Sequence, residues 1–374
     1  MANKHAVSRR AAAGALLAGA LVALLSACAP APSTVSGGAS PASGGPSPAS
    51  AAAPAPAEAA AAPTAPAPPA RLRVAYSEMN ASGTVPWVAA DAGIFARHGL
   101  DAELSYIASA QTVPAVLAGD MDLAIGGGYA AINSRLAGGD LQMILGVVNW
   151  FPFELMVAPS IASPADLRGN RLGVSRLGSS SDVATRAALA QLGLVPDQDV
   201  AIVQVGSLQE RIAAMQADAI AGGVATAPDT TLLRQQGFTT LLDLAATGEQ
   251  EMTSVVFGSA AWLRANDATT QAFVDAMIEA IHLVKTDRAI AKQALAQYLK
   301  LQDPAALDDA YDHFVGEPLA RVPEPGVDAA RKYLQGQAAT DPRTAGARVE
   351  DFFDLHFVDR VKASGLVERL YGGS

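Results

Sequence analysis

The chain has 374 residues, 50% of them hydrophobic, and a formal net charge of −10 at pH 7. An acidic balance of this size argues against nucleic acid or an anionic membrane surface as the partner, because both repel negative charge. The single cysteine, Cys28, leaves the rest of the chain without a disulfide framework, a thiolate metal site or a thiol nucleophile.

Residues 1–28 have the layout of a signal peptide, with a basic start and an apolar stretch over 11–25. This stretch is shorter than the roughly 20 residues that a helix needs to cross a bilayer, so no permanent membrane helix is predicted. Leu25-Ser26-Ala27-Cys28 resembles a bacterial lipobox, which predicts a lipid on the Cys28 thiol; ordinary cleavage is the alternative. Ser8-Arg9-Arg10 resembles a twin-arginine signal, so the export route stays open, as does the membrane that holds the anchor.

Residues 29–70 consist almost wholly of Ala, Pro, Ser, Gly and Thr, with Glu58 as the only charge. This composition cannot bury enough apolar surface to offset the ordering of the chain, so the segment is predicted to be a disordered tether. The remaining roughly 300 residues exceed what one hydrophobic core usually holds. Two lobes are therefore expected.

From residue 71 onward, short apolar runs alternate with amphipathic stretches, a pattern typical of an α/β fold with mainly parallel sheets flanked by helices. The first set of predicted strands is 72–76, 102–107, 122–125, 141–147 and 154–158, with helices over 85–97, 111–118 and 129–137. The second set has strands near 171–175, 200–205, 219–225 and 239–242, with helices near 180–192, 207–216 and 229–236. An apolar run at 255–257 then precedes a mostly helical tail.

The order of these pieces predicts how the lobes share the chain. The tail is too helical to fold alone and is expected to pack back on the first lobe, so that lobe one takes 71–157 and 253–374 and lobe two takes 158–252. The chain would then cross between the lobes twice. Two crossings make a hinge that can close the lobes on a ligand.

Five segments of the chain occur in an order that is found in a known family. They are Arg71-Leu-Arg-Val-Ala-Tyr76, Pro86-Trp-Val-Ala-Ala-Asp-Ala-Gly-Ile-Phe95, His98-Gly-Leu-Asp-Ala-Glu103, Val116-Leu-Ala-Gly-Asp-Met-Asp-Leu-Ala-Ile-Gly-Gly-Gly128 and Ser163-Pro-Ala-Asp-Leu-Arg-Gly169. Together they resemble the SsuA-like substrate-binding proteins of nitrate, sulfonate and taurine importers, a group that includes binders of thiamine-pyrimidine precursors. The resemblance covers about 71–285 and is looser over the tail.

This resemblance implies a type II periplasmic-binding fold with two lobes, a ligand site in the cleft between them, and an ABC permease with its ATPase as partner. It does not imply a particular ligand. A monomer is expected, and no cofactor or metal is expected.

In open α/β sheets, ligands sit beyond the C-terminal ends of the strands, at loops that lead into helices. Four such loops supply the candidate ligand-binding residues: Asn80 and Ser82 in the first, Gly127, Gly128 and Tyr129 in the second, Arg176, Ser179, Ser180 and Ser181 in the third, and Thr226 in the fourth.

These candidates have structural alternatives. The glycines let backbone N–H groups approach a ligand on which Tyr129 could stack, but they also suit a tight turn. The serines suit an anionic or strongly polar group at a helix N-terminus. Ser179 with Asp182, however, resembles a capping box, which needs no ligand. The aromatic run over 150–153 is a candidate wall of the cleft, although such clusters more often serve packing.

Two rival functions stay open. An enzyme of pyrimidine-precursor-synthase type needs a nucleophile, a base or a Schiff-base lysine, yet no lysine occurs between Lys4 and Lys285, and His98 is the only histidine between residues 6 and 281. A ligand-sensing module that docks a signalling partner cannot be separated from a transport component by sequence. The predicted function is a non-enzymatic, exported and lipid-anchored solute-binding protein for a sulfonate, carboxylate or heterocycle.

Overall fold

The computed structural model of the protein describes residues 68–316 and 318–372. The predicted signal peptide over 1–28, with the lipid acceptor Cys28, lies outside these residues, as does the predicted tether up to residue 67. Ala70, predicted as the last residue of the tether, is the first residue of a strand. Across the described residues, no helix has both the length and the apolar composition that spanning a bilayer requires.

The described residues form alternating strands and helices in the first two thirds of the fold and helices thereafter. The strands are β1 Ala70–Tyr76, β2 Leu100–Tyr106, β3 Leu123–Gly126, β4 Leu141–Trp150, β5 Glu154–Val157, β6 Arg171–Val174, β7 Ala201–Gln204, β8 Gly222–Ala225, β9 Thr239–Asp243 and β10 Gln250–Ser259. The α-helices are α1 Thr84–Asp91, α2 Ile94–Arg97, α3 Ser109–Ala118, α4 Gly128–Leu136, α5 Ser180–Gln191, α6 Leu208–Gln216, α7 Asp229–Gln235, α8 Ala260–Ala265, α9 Asp267–Thr286, α10 Arg288–Leu299, α11 Pro304–Phe314, α12 Val327–Gln337, α13 His356–Ala363 and α14 Leu366–Tyr371.

The strands form two five-stranded sheets with the same arrangement. Their strand orders are β2-β1-β3-β10-β4 and β7-β6-β8-β5-β9. In each sheet the first three strands are parallel, and the fourth is antiparallel to both of its neighbours. In the chain, β5 follows β4 of the first sheet, and β10 follows β9 of the second sheet. The fourth strand of each sheet thus comes directly after the fifth strand of the other sheet. We call the first sheet with its helices the first lobe and the second sheet with its helices the second lobe.

The structure moves one predicted strand from the first lobe to the second. The strand at 154–158 is predicted in lobe one (71–157), but β5 pairs with β8 and β9 of the second sheet. The predicted boundary between 252 and 253 also falls inside β10, which pairs with β4 from Gln250 onward. The sequence of a four-residue apolar strand does not indicate which sheet the strand joins. Its sheet is determined by the strands with which it forms hydrogen bonds.

Most other predicted elements occur within a few residues of their expected positions. The predicted helix over 85–97 is an exception, because it is broken into α1 and α2. Gly93, at the break, has a φ of 65°, a left-handed conformation that glycine adopts without a Cβ clash. The break turns the chain before β2.

The helical tail packs on the first lobe, as predicted. Apolar residues at helical spacing over 270–285 predict one buried stripe along a helix. In α9 every member of this stripe is buried: Phe273, Val274, Met277, Ile278, Ile281 and Val284. This stripe shares one core with Leu72 of β1 and with Phe357 of α13. His282, beside the stripe, lies edge-on to the Tyr371 ring with centroids 4.6 Å apart, which is a packing contact.

Candidate functional site

A cavity of about 270 Å³ lies between the two lobes. It is lined by the loops that follow four parallel strands: β1 and β3 in the first lobe, and β6 and β8 in the second. All four loops were predicted from the rule that ligands sit beyond the C-terminal ends of strands. The predicted loops therefore lie together around one cavity, at the same end of both sheets.

Eight of the ten predicted site residues line this cavity. They are Asn80, Ser82, Gly127, Arg176, Ser179, Ser180, Ser181 and Thr226. The other two, Gly128 and Tyr129, do not line it. The four loops were proposed separately, and the fold brings them together at one place.

Tyr129 lies in the core of the first lobe and not in the cavity, contrary to the hypothesis that it stacks on a ligand. Only 2% of its surface is exposed, and its ring packs against Tyr333 of α12 with centroids 4.6 Å apart. Gly128 is also a packing position, because a Cβ there would lie 2.8 Å from Met252 Cβ. The second loop thus contributes only Gly127 to the cavity among its predicted residues.

The predicted polar residues of the first loop hydrogen bond within their own loop. Asn80 Oδ1 accepts from the backbone N–H of Ser82 at 2.9 Å, which caps the short helix Ala81–Gly83. The Ser82 hydroxyl donates to Glu78 Oε2 at 2.6 Å. Both residues line the cavity, yet their oxygens already have partners.

The third loop contains a closed hydroxyl network that we call the serine cluster: Ser175, Ser179 and Ser181. Their three Oγ atoms lie 2.9–3.0 Å from one another. Ser179 Oγ also accepts from the N–H of Asp182 at 3.4 Å, which confirms the predicted helix cap. The Asp182 carboxylate accepts from Gly178 N at 2.7 Å, so the predicted capping box does not close on Ser179 itself. The serine cluster is satisfied within its own loop.

Ser180 has a different partner from its neighbours. Its hydroxyl donates to the carbonyl oxygen of Thr253 in β10 at 3.1 Å, which joins the second lobe to the first. A Cβ on Gly127 would lie 2.8 Å from Ser180 Oγ, so the absent side chain at Gly127 makes room for this contact. Ser180 therefore lies at the contact between the lobes.

Two arginines of the second lobe bring positive charge to the cavity. The predicted Arg176 and the unpredicted Arg211 of α6 both line it, and the Nε atom of each is buried without a hydrogen-bond partner among the described residues. Thr226 Oγ1 is buried without a partner as well. A buried donor without a partner costs stability, unless a ligand accepts from it.

Arg211 is the more deeply buried of the two arginines, with 5% of its surface exposed. Its Nη1 donates to the carbonyl oxygen of Val224 at 2.6 Å. Burial lowers the pKa of Arg211 to about 10, against the opposing charge of Asp229, so the guanidinium stays a cation at neutral pH. The same burial raises the pKa of Asp229 to about 6, with the charge of Arg211 opposing the rise.

Sequence reasoning missed Arg211 because it follows the capping-box residues Ser207 and Glu210 at the start of a predicted amphipathic helix. A basic residue at such a position usually faces solvent. One signal could have identified Arg211. It lies directly after a helix cap, and that cap follows a predicted strand, at the end of the sheet where the candidate loops lie.

Sequence reasoning also left Glu78 out of the candidate set, although Glu78 lies in the same loop as Asn80 and Ser82. Glu78 lines the cavity from the first lobe. Burial raises the pKa of its carboxyl group to about 7, while the hydroxyls of Ser82 and Ser254 favour the ionised form and limit the rise.

Apolar side chains complete the lining. The predicted aromatic wall over 150–153 contributes Pro152 and Phe153, whereas Phe151 is buried in the core of the second lobe. Met79 and Phe257 lie on the opposite side, in the first lobe. The cavity thus combines apolar walls with a few charged groups, as small-molecule sites commonly do.

The lining of the cavity supplies charged and polar groups that can bind a small molecule. Its lining contains neither cysteine, histidine nor lysine in the part of the chain that the structure describes. Over residues 68–316 and 318–372, no three histidine, cysteine or carboxylate side chains are grouped to hold a metal ion. Lys285, the first lysine after Lys4, donates to the carbonyl oxygens of Gly316 at 2.5 Å and Leu319 at 2.7 Å and supports the tail.

Two matching five-stranded sheets with a cavity between their strand ends define the fold of periplasmic binding proteins. The alkanesulfonate-binding protein SsuA from Xanthomonas axonopodis pv. citri, solved with bound MOPS, superimposes with a TM-score of 0.63 at 20% identity, over 76% of this chain and 96% of that chain. The periplasmic aliphatic sulphonate binding protein SsuA from Escherichia coli superimposes with a TM-score of 0.60 at 21% identity, over 76% of this chain and 96% of that chain. The periplasmic nitrate-binding protein NrtA from Synechocystis PCC 6803 superimposes with a TM-score of 0.60 at 15% identity, over 79% of this chain and 88% of that chain.

At the level of sequence, residues 80–288 match the NMT1/THI5-like family, and the chain belongs to that family. No curated protein matches the chain. The family match and the shared fold confirm the resemblance to SsuA-like substrate-binding proteins on which the sequence analysis relied.

Proposed function

We propose that the protein is an exported solute-binding protein that captures a small organic anion between its lobes and delivers it to an ABC permease and its ATPase. The observation that carries this proposal is the pair of buried arginine nitrogens, Arg176 Nε and Arg211 Nε, that line the cavity without a partner among the described residues. Guanidinium groups bind carboxylate and related oxyanions through paired, charge-assisted hydrogen bonds.

Helix ends add to this positive potential. The residues that precede α4, α5 and α6, which are Gly127, Ser179 and Ser207, all line the cavity. The N-terminus of a helix carries partial positive charge and free N–H groups, so three such ends around one cavity favour an anion. Sulfonates and carboxylates are therefore the preferred ligand classes, with a polar heterocycle as the neutral alternative.

The proposed capture step is closure of the lobes about a hinge. The chain passes between the sheets twice, between β4 and β5 and again before β10. Hydrogen bonds already join the lobes, from Ser180 to the Thr253 carbonyl at 3.1 Å and from Thr231 Oγ1 to Asp309 Oδ2 at 2.5 Å. A ligand that contacts residues of both lobes adds to these bonds and favours the closed arrangement.

Export and anchoring form part of the same proposal. Two of the proteins that share the fold are described as periplasmic, and the signal-peptide and lipobox patterns end at Cys28. The mature protein would then be held at a membrane surface by lipid on Cys28, as a monomer that meets its permease there. The absence of cysteine, histidine and lysine from the described lining supports a binding function over an enzymatic one.

A thermal-shift screen of the purified protein tests the proposal. The panel contains alkanesulfonates, nitrate, carboxylates, pyrimidines and aromatic acids. At about 100 times its Kd, a ligand adds roughly 2.7 kcal/mol of stability, a shift of a few degrees for a chain of this length. Hits concentrated among organic anions support the proposal. A panel without hits, for protein that native mass spectrometry finds empty, contradicts it.

A further inference from the structure

We infer that the cleft captures its anion together with one proton, which passes from solvent to the Glu78 carboxylate and leaves a neutral carboxyl group. The inference rests on the proposed function and specifies how that function depends on pH. It follows from the charges that line the cavity.

The charges that line the cavity cancel when every group is ionised. Over the described residues, the charged members of the lining are two carboxylates and two guanidinium groups: Glu78, Glu210, Arg176 and Arg211. An anion that enters this lining makes the sum negative, and an uncompensated charge in a site shielded from water is costly. One proton on either carboxylate restores the balance.

Of the two carboxylates, Glu210 is held in its ionised form. Its Oε2 atom accepts from the backbone N–H of Ser207 at 2.6 Å, at the N-terminus of α6. This bond and the Ser207 hydroxyl hold the pKa of Glu210 below its usual range. The partial positive charge of a helix N-terminus also favours a carboxylate. Glu210 therefore does not take up the proton.

Glu78 lacks stabilisation of this kind. Its Oε2 atom accepts at 2.6 Å from the Ser82 hydroxyl, and no cationic side chain of the described residues forms an ion pair with it. Burial raises its pKa to about 7, and the hydroxyls of Ser82 and Ser254 only limit the rise. Near neutral pH, this carboxyl group is populated in both its ionised and its neutral form.

A bound anion shifts this balance toward the neutral form of Glu78. A like charge nearby disfavours ionisation of a carboxyl group and raises its pKa. When a pKa is higher in the complex than in the free protein, binding takes up a proton. Well below pH 7 the Glu78 carboxyl group is already neutral, so the affinity for the anion is highest there and falls as the pH rises through 7.

Charged groups on the neighbouring helices have partners of their own. The short helix Ala81–Gly83, which contains Ser82, packs against α1 and α11. The charged or titratable residues of these two helices each form a hydrogen bond with another residue: Asp91, Asp308, Asp309, Asp312 and His313. None of them supplies a counter-charge to Glu78.

Two other carboxyl groups near the cleft titrate in a similar pH range. Glu251, in β10, has 7% of its surface exposed, and burial raises its pKa to about 7 against the charge of Lys332. Burial likewise raises the pKa of Asp229 to about 6. Neither residue is part of the cavity lining. Both therefore provide controls for titration that occurs outside the cavity.

Calorimetric titration between pH 6 and pH 8.5 tests the inference, with ethanesulfonate and benzoate as probes. Both probes keep their charge over this range, and the Arg211 guanidinium, with a pKa of about 10, remains largely protonated. We expect the Kd of each probe to rise about 10-fold from the lower to the higher pH, since an equilibrium that takes up one proton changes up to about 10-fold for each pH unit.

The proton itself is counted by titration at pH 7.5 in Tris and in triethanolamine, which release different heats on ionisation. Anionic buffers are avoided because they compete for the cleft. We expect an uptake of about half a proton or more for each anion bound.

The variant Glu78→Gln keeps the shape of the side chain and has no charge to lose. We expect it to remove the proton uptake and the pH dependence, and to bind each probe about 10-fold more tightly than the unsubstituted protein at pH 8.5. A folding defect cannot produce a gain of affinity. Glu251→Gln and Asp229→Asn are the matched controls, and both are expected to keep the rise of Kd with pH.

The outcomes separate the inference from the proposed function. A Kd that is equal at the two pH values, an absence of proton uptake, or a pH dependence that survives Glu78→Gln overturns the inference and leaves the anion-binding proposal standing. Loss of the dependence in Glu251→Gln does the same. If neither probe binds, the tightest-binding sulfonate or carboxylate of the screening panel replaces them. Failure of every organic anion to bind overturns both.

Discussion

The serine cluster and the two cavity arginines belong to the same lobe and line the same cavity, but they differ in how their polar atoms are satisfied. The hydroxyls of Ser175, Ser179 and Ser181 bond to one another, and that of Ser179 caps α5. Arg176 and Arg211 each keep a buried Nε without a partner among the described residues. A polar residue that lines a cavity can therefore either stabilise the fold or bind a ligand. The two roles are distinguished by whether its polar atoms already have hydrogen-bond partners in the protein.

The sharpest test of this comparison is Arg211→Gln. If the Arg211 guanidinium, whose Nε has no partner among the described residues, binds the ligand anion, the substitution lowers affinity about 10- to 100-fold. A charge-assisted hydrogen bond contributes about 1.5 to 3 kcal/mol. Titration calorimetry with a hit from the ligand screen measures the loss. Arg171→Gln is the matched control, since Arg171 is exposed on β6, outside the cavity lining. Equal effects of the two substitutions would remove the distinction between cavity and surface arginines.

The second test uses the pH dependence of stability at Glu78, another cavity group that has no charged partner among the described residues. Burial raises its pKa from 4.5 to about 7, so the protonated form favours folding. Its contribution is complete below pH 4.5 and is lost as the pH rises through 7. Glu78→Gln should therefore raise the free energy of unfolding at pH 8 by about 1 to 3 kcal/mol, discounted for residual exposure, and leave it unchanged near pH 4.

Urea denaturation of the unliganded protein at the two pH values measures this difference. Glu103→Gln serves as a reference, because Glu103 lies on the exposed face of β2 and pairs with Arg71 at the surface. A stabilisation by Glu78→Gln that is the same at pH 4 and pH 8 would mean that the gain does not come from the charge.

The smallest effect on binding is expected for Ser179→Ala and Ser181→Ala. Ser179→Ala removes the cap of α5, so the free energy of unfolding should fall by about 0.5 to 2 kcal/mol. Ser181→Ala removes the acceptor of the Ser175 N–H and should lower it by about 0.5 to 1.5 kcal/mol, the usual contribution of one hydrogen bond. Ligand affinity should change by less than about threefold, since a satisfied hydroxyl has little to offer a ligand. Ser207→Ala is the control, because it removes the cap of α6 and measures how much unfolding free energy the loss of another helix cap costs this protein. A large loss of affinity without a loss of stability would assign the cluster to the ligand.

Sequence patterns were sufficient to predict the elements and the end of each sheet where the site lies. Alternating apolar runs gave the strands, and the stripe along α9 was found because its spacing is a property of the local chain. The placement of β5 in the second sheet depends on its hydrogen-bond partners β8 and β9, which are far away in sequence. No local pattern contains that information.

The site was predicted only in part, for a related reason. The loops were located by topology, but the direction in which a side chain points depends on how its helix packs. Tyr129, one residue into α4, turns toward Tyr333 of α12, whereas Arg211 of α6 turns into the cavity. The sequence favoured Tyr129 as a ligand contact and gave no signal that separated Arg211 from a surface arginine.

The net charge of the protein and the arginines of its cavity act on different steps of ligand binding. The protein carries a net charge of −10, so an approaching anion meets repulsion at long range and attraction only inside the cleft. Long-range charge chiefly governs the rate of association, whereas contacts within a cavity govern the rate of departure. Tight capture by this protein would therefore depend on a long residence time, and dissolved salt, which screens the outer repulsion, would speed the encounter.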